Sequence, residues 1–173
     1  MRGRMVDRKS YVPPFQIGEV LTGGAIGRVT KSNHANFAEG DHVTSHHGWR
    51  EAFTASTAGI EKLGELVAEP SAYLGAIGMP GMTAYVGLLE VGALKEGETV
   101  FVSGAAGAVG SIVGQIAKLK GCRVLGSAGS EDKVDLLSNE LGFDYAFNYK
   151  EGSILAHLRE GAPDGIDVYF DNV

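Results

Sequence analysis

Cysteine is almost missing from this chain, which has a single one, Cys122, in 173 residues. One cysteine excludes a disulfide framework and leaves no Cys-x-x-Cys pair for a structural zinc, so a reducing cytoplasm is the expected compartment. Cys122 itself reads as a small buried apolar residue at the start of a strand. Basic charge is also short: 15 Lys and Arg face 21 Asp and Glu, for a formal net charge of −6. The cations are scattered along the chain, and a partner held through its phosphates needs a basic face, so no nucleic acid is expected. No apolar run approaches the roughly 18 residues of a membrane span, and the basic N-terminal stretch MRGRMVDRKSY lacks the hydrophobic core of a signal peptide. No membrane partner is expected. The five histidines offer only the neighbours His46 and His47, which would point to opposite faces of a strand, so no metal site is expected. Ser103, Ser111 and Ser127 lack the strained elbow of a nucleophilic serine and a plausible histidine partner, which argues against hydrolysis.

Glycine, in contrast, is abundant, with 26 residues in a composition that is 44% hydrophobic and 21% charged, ordinary for a globular chain. Three of the glycines fall as Gly104-x-x-Gly107-x-x-Gly110. They lie between the β-rich run Val100-Phe101-Val102 and a helical pattern in which Val109, Ile112, Val113, Ile116 and Ala117 recur on one face. Each has a physical use in a dinucleotide site. Gly104 permits the turn off the strand, Gly107 lets backbone approach a pyrophosphate, and Gly110 lets the helix pack closely. The phosphate charge then meets free N–H groups at the positive end of the helix. An ordinary glycine-rich strand-to-helix turn is the alternative reading.

Organisation supports the first reading. Residues 1 to about 60 are β-rich, with short strands expected over 16–21, 25–30 and 42–44, as in a small barrel. Helical faces follow over 71–94, with Met79-Pro80-Gly81 expected to separate two helices. The pattern then alternates: strand 99–103, helix to 120, strand 123–127, helix 131–141, strand 145–148, helix 154–160 and strand 166–170. Strands separated by helices imply a parallel sheet covered on both faces, an α/β, doubly wound, Rossmann-like arrangement. Such a domain commonly has six strands and this one reaches four, so the chain is expected to be a fragment of a longer protein.

Six segments carry a resemblance: Met1-Arg2-Gly3-Arg4-Met5, Tyr11-Val12-Pro13-Pro14-Phe15, Gly78-Met79-Pro80-Gly81-Met82-Thr83-Ala84-Tyr85, Ala105-Ala106-Gly107-Ala108-Val109-Gly110, Phe147-Asn148-Tyr149-Lys150 and Tyr169-Phe170-Asp171-Asn172-Val173. With them the chain resembles the zinc-independent branch of the medium-chain dehydrogenase/reductase superfamily, which contains leukotriene/prostaglandin, curcumin and alkenal double-bond reductases. The resemblance covers essentially the whole chain. It implies part of a β-rich, GroES-like substrate domain over 1–70, a helical connection over 71–98, and the first part of an NADP-binding domain over 99–173. Members are about twice this length and commonly dimeric. The implied activity is NADPH-dependent reduction of the C=C bond of α,β-unsaturated ketones or aldehydes, a small-molecule enone or alkenal. Hydride reaches the β-carbon and a proton the α-carbon, so the enolate oxygen needs positioned donors. A missing second half leaves the isolated chain expected to be inactive. A quinone oxidoreductase of the same superfamily and a non-catalytic NADPH-binding module are the competing readings.

Sites selective for NAD usually carry an acid about 20 residues past the glycine turn to hold the ribose hydroxyls. Here the second strand ends in Gly126-Ser127-Ala128-Gly129-Ser130, with no acid at its tip, so a 2′-phosphate can enter. Lys133 can supply positive charge and Tyr149 a hydroxyl, and the resemblance assigns both to the 2′-phosphate of NADPH. Read without it, Lys133 is a solvated helix residue and Tyr149 a strand-end aromatic. Ser130 is expected to cap the next helix, where Glu131 and Asp132 favour its dipole. The resemblance also matches Gly107, Ala108, Val109 and Gly110 to a pyrophosphate-binding turn and Asn172 to a position beside the cofactor. The carboxyl ends of parallel strands favour Asn172 independently. Thr83 is a candidate contact near the nicotinamide or a helix-packing threonine, and Arg2 and Arg4 are substrate-side candidates or surface charges. No catalytic residue stands out.

Overall fold

The computed structural model describes residues 2–9 and 12–173. Met1, Ser10, Tyr11 and the side chain of Arg2 lie outside the described part, and with them Arg2 as a substrate-side candidate and one or two positions in each of the two N-terminal motifs. The chain divides into two compact units, Met1–Leu74 and Gly75–Val173.

The first unit is built on three short antiparallel strands, β1 (Ala25–Arg28), β2 (His42–Ser45) and β3 (Ile60–Lys62), in the order β1-β2-β3. Central β2 turns Val43 and Ser45 inward, and both are buried. Polar clamps do much of the rest. Lys62 pairs with Asp41 at 2.7 Å, and that bond, with one from the Ala38 N–H, holds the Asp41 carboxyl below its ordinary range. Arg4 donates to the carbonyls of Pro13 and Thr22 and to Thr22 Oγ1 at 3.1, 3.0 and 2.7 Å, and its guanidinium lies 3.9 Å from the Phe15 ring centre.

Two sequence expectations fail in this unit. Residues 16–21 do not form a strand. They form a turn closed by Glu19 N–H to Gln16 O, with Gly18 at φ +85° and Ile17 fully exposed. A β-rich composition without a paired neighbour does not make a strand, because the ladder supplies the stabilisation. Conversely, β3 is Ile-Glu-Lys and carries little strand signal of its own. It exists because it pairs with β2 in the register Val43↔Lys62, Thr44↔Glu61 and Ser45↔Ile60.

Between the β-rich segment and the parallel sheet the helices are shorter than the periodicity implies. A 3₁₀ turn spans Pro70–Leu74, and helix α1 (Met79–Tyr85) continues as a π-helix over Val86–Val91. Met79-Pro80-Gly81 therefore opens the second helix and does not stand between two helices. Proline suits a first turn, where its missing N–H would have had no intrahelical partner.

The second unit then runs β4 (Thr99–Val102), α2 (Gly110–Leu119), β5 (Arg123–Ala128), α3 (Glu131–Asp135), β6 (Tyr145–Asn148), α4 (Ile154–Gly161) and β7 (Val168–Phe170), with α3 prolonged by a π-turn over Leu136–Glu140. The four strands are parallel in the order β6-β5-β4-β7. The chain thus starts in the middle of the sheet, moves outward to β6, and returns to lay β7 on the other side of β4. That reversal creates a switch point between the carboxyl ends of β4 and β7.

Alternation along the strands builds two cores. Val100, Val102, Val124 and Ala128 face one way and pack with Leu88, Val113, Ala117, Leu137 and Phe143. Phe101, Leu125 and Phe147 face the other way, with Ala162 and Leu158. Burial on both faces makes these strands continuous apolar runs. Each fully buried Leu or Val contributes about 1.5–3 kcal/mol relative to exposure. Cys122, just before β5, is 3% exposed, with its thiol directed to Lys95 O at 3.2 Å, and burial pushes its pKa up.

Asp144 joins three elements: it accepts from Lys118 Nζ of α2 at 2.8 Å and from the Val124 N–H of β5 at 2.7 Å, just ahead of β6. Burial opposes its ionisation. The bonds from Lys118 and Val124, with the charges of Lys118 and Arg123, prevail and hold the pKa below the ordinary value.

Two predictions follow from this packing. A Cβ on Gly114 would overlap the edge of the Phe143 ring at Cζ and Cε2, so Gly114→Ala should cost about 1–3 kcal/mol in denaturant unfolding, and Phe143→Leu in the same chain should recover part of it. Because the folded pKa of Asp144 is depressed, its stabilising share is present above the ordinary carboxylate pKa of about 3.9 and is lost as pH falls through the folded value. The stability gap between the parent chain and Lys118→Met should accordingly close on acidification, as read by unfolding midpoints across pH.

Candidate nucleotide-binding site

The turn after β4 is held by its own backbone. Gly104 takes φ +54°, Ala105 N–H reaches across to Ser127 O of β5 at 3.0 Å, and Gly107 N–H closes on Gly104 O at 2.9 Å. Helix α2 then begins with Ser111 N–H on Gly107 O and Val113 N–H on Val109 O. Among the described residues no acceptor takes the N–H groups of Ala108, Val109 or Gly110. Three open donors at the start of a 10-residue helix favour an anion through both hydrogen bonding and the helix dipole. Close packing explains the glycines: a Cβ on Gly110 would lie 2.6 Å from Gly104 O, and one on Gly107 would lie 3.1 Å from the same oxygen.

The end of β7 meets this turn. Ser103, 7% exposed, donates through Oγ to Asp171 Oδ1 at 2.7 Å and accepts from the Asn172 N–H at 2.8 Å. The Ser103 hydroxyl is the foremost cause of the lowered Asp171 pKa, followed by Tyr169. With its backbone tied in this way, Asn172 places Nδ2 3.7 Å from the Cβ position of Gly107. Four of the sequence candidates from the turn (Gly107, Ala108, Val109 and Gly110) and Asn172 therefore share the crevice at the switch point.

A second cluster lies at the tip of β5. Ser130 takes the extended cap position before α3, yet its hydroxyl makes no capping bond, which corrects the expectation that this side chain caps the helix. Lys133 is exposed in the first turn of α3. Tyr149 N–H bonds to Ala128 O at 3.1 Å, and its hydroxyl lies 3.2 Å from the Cβ position of Gly129. Lys150 also belongs here and was not picked out from the sequence. Its Nζ donates to Gly129 O at 2.6 Å and stands 5.8 Å from the Tyr149 ring centre. The signal was available in the FNYK segment, but a lysine beyond a strand end has no periodicity to mark it.

Thr83 lies in α1. Its hydroxyl turns back to Met79 O at 2.8 Å, and it lines an apolar groove with Ile77, Met79, Met82, Val86 and Val91, which includes no residue of the glycine turn. Arg4 spends its donors within the first unit, as described above. Among the described residues no three His, Cys, Asp or Glu side chains gather where they would hold a metal, and no helix is long and apolar enough to cross a membrane.

Comparison with known proteins bears on the same two regions. Residues 1–63 match a family model described as the N-terminal domain of oxidoreductase, and residues 108–173 match one described as zinc-binding dehydrogenase. The chain is 47% identical over 173 residues to the NADPH-dependent curcumin reductase of Escherichia coli, covering 100% of this chain and 50% of that protein. It is 51% identical over 178 residues to the NADP(+)-dependent 2-alkenal reductase of Nicotiana tabacum, covering 100% and 51%. The chain belongs to the medium-chain dehydrogenase/reductase superfamily, in its zinc-independent branch. As expected of a medium-chain dehydrogenase/reductase, it superposes on the crystal structure of CurA in complex with NADPH from Vibrio vulnificus, with TM-score 0.86, 47% identity, and coverage of 99% of this chain and 51% of that one. The chain spans about half the length of the relatives it matches. The word zinc in the second description belongs to the family model. The single cysteine of this medium-chain dehydrogenase/reductase is buried before β5.

Among the described residues Ser103 is the one side chain bonded to both Asp171 and Asn172, so Ser103→Ala should free the end of β7. Hydrogen exchange at the Asn172 amide should quicken by about five- to tenfold, the effect of losing one hydrogen bond of ordinary strength, while the Val100 and Val124 amides keep their protection.

Proposed function

We propose that this chain is part of an NADPH-dependent reductase acting on the C=C bond of α,β-unsaturated ketones or aldehydes. The observation that carries this reading is the end of β5, where residues 126–130 carry no acid and Tyr149 and Lys150 approach Gly129, with Lys133 in the following helix, beside a turn with three open N–H groups. The identities to a curcumin reductase and a 2-alkenal reductase support the substrate class, and the likeness to an NADPH complex supports the cofactor.

The residues fit the dinucleotide. Ala108, Val109 and Gly110 would hold the pyrophosphate through backbone N–H groups, and Gly107 would leave room for its approach. Lys133 and Tyr149 would hold the 2′-phosphate, to which a charged lysine and a phenolic hydroxyl are suitable donors. Asn172 would contact the cofactor across the switch point. When bound, NADPH supplies a hydride. The chain's own residues would bind and orient it. On this reading residues 1–70 are part of the substrate domain, 71–98 a helical connection and 99–173 the first part of the nucleotide-binding domain. The full-length protein is further proposed to act in the cytoplasm, which the scarcity of cysteine favours, and as a homodimer, which the resemblance implies.

With the full-length protein and a simple enone, NADPH should be consumed and the saturated ketone should appear. Faster turnover of a quinone than of an enone would overturn the substrate assignment, and binding of NADPH without consumption would point to a non-catalytic module. In the same protein, Lys133→Ala should weaken NADPH binding by about tenfold, with NADH affected by less than about twofold. An equal loss for both cofactors would remove the 2′-phosphate assignment.

A further inference from the structure

Asn148, the last residue of β6, is the hub of the charged cluster beside the proposed 2′-phosphate site. Its Nδ2 donates to Glu131 Oε1 at 3.0 Å and to Glu151 Oε1 at 2.9 Å, and its Oδ1 accepts from the Lys150 N–H at 3.2 Å. Carboxylates only accept hydrogen bonds and an N–H only donates, so these partners fix which way the amide faces. One side chain thus restrains both acids that flank the basic tip. Glu131 opens the helix that carries Lys133, and Glu151 follows Lys150.

Glu131 also stands 21 positions beyond Gly110 (131 − 110), at about the distance where dinucleotide sites that choose NAD place the acid that binds the ribose hydroxyls. In this chain residues 126–130 at the strand tip carry no acid, and the next acid, Glu131 at the start of the following helix, is engaged by the Asn148 amide. We propose that Asn148 determines cofactor specificity as a positioning residue: by holding the Glu131 carboxylate, it withholds the acid from the ribose 2′-hydroxyl and leaves the tip of β5 to a 2′-phosphate. The inference rests on the NADPH reading above. Releasing Glu131 has two effects with one cause. A free carboxylate at the helix start repels a 2′-phosphate, and it offers an acceptor to an unphosphorylated ribose.

The test is equilibrium titration of the full-length protein with NADPH and with NADH, followed by the fluorescence of the bound nicotinamide. Asn148→Asp keeps the shape of the side chain but cannot donate to a carboxylate, and Asn148→Ala removes the amide without adding charge. Both should move the ratio of the two dissociation constants toward NADH by about tenfold, through weaker NADPH and tighter NADH binding, an effect of the size expected for one charged hydrogen bond. Glu131→Gln added to Asn148→Ala should return most of the shift. An equal weakening of both cofactors marks a purely structural role and overturns the proposal, as does a shift that persists when Glu131→Gln is added. Lys133→Ala separates the two levels. If it erodes the preference for NADPH while both Asn148 variants leave the ratio unchanged, this inference alone fails. If it leaves the preference untouched, the 2′-phosphate reading fails and this inference with it.

Discussion

The ring of Phe143 occupies the volume that side chains at Gly114 and Gly126 would have filled, and the rest of the nucleotide half depends on that packing. A Cβ on Gly126 would lie 2.8 Å from the ring, and one on Gly114 would overlap its edge. Helix and strand can therefore approach the same aromatic from two sides, which brings α2 close over β4 and β5. The approach sets the direction of the helix. Its N-terminus, with the open N–H groups of Ala108, Val109 and Gly110, is delivered to the carboxyl end of the sheet, where the chain's reversal leaves a crevice. A larger residue at either glycine would hold α2 away and move those donors with it.

The two units are stabilised by different means. Gly75–Val173 has apolar cores on both faces of a parallel sheet, whereas among the described residues Val43 is the buried hydrophobic side chain of Met1–Leu74. Hydrogen bonds and ion pairs carry more of the load there, from Arg4 on Thr22 and Pro13 to Lys62 on Asp41. Exposed pairs of that kind contribute little individually. Order in the first unit thus rests on many weak polar contacts, and the sheet of the second unit is the firmer platform for a ligand.

Charge at the tip of β5 is arranged as much by what is restrained as by what is present. Lys133 and Glu131 lie in the first turn of α3, and Lys150 and Glu151 follow β6. Counting residues would predict a neutral cluster. Hydrogen bonding sorts it, with both acids drawn to the Asn148 amide and Lys150 anchored on Gly129 O. Near the switch point Ser103 plays a comparable part, tying Asp171 and Asn172 to the end of β4.

Local pattern was enough to read the alternating strands and helices after residue 99, because buried parallel strands are apolar runs and their crossover helices keep a 3.6-residue period. It also marked the glycine turn, where the spacing itself reflects the steric need. It failed at 16–21, where strand-like residues found no partner, and at Ile60–Lys62, where a partner made a strand of unpromising residues. Lys150 and Asn148 were equally hidden, since their importance comes from Gly129, Glu131 and Glu151, which the fold brings to them from other elements or the following turn. Residue order and spacing were enough for the α/β class, the glycine turn and the family. Strand pairing, the approach of Asn172 to Gly107 and the bond from the Asn148 amide to Glu131 arose only on folding. Such facts depend on contacts between residues far apart in the chain, which no local periodicity encodes.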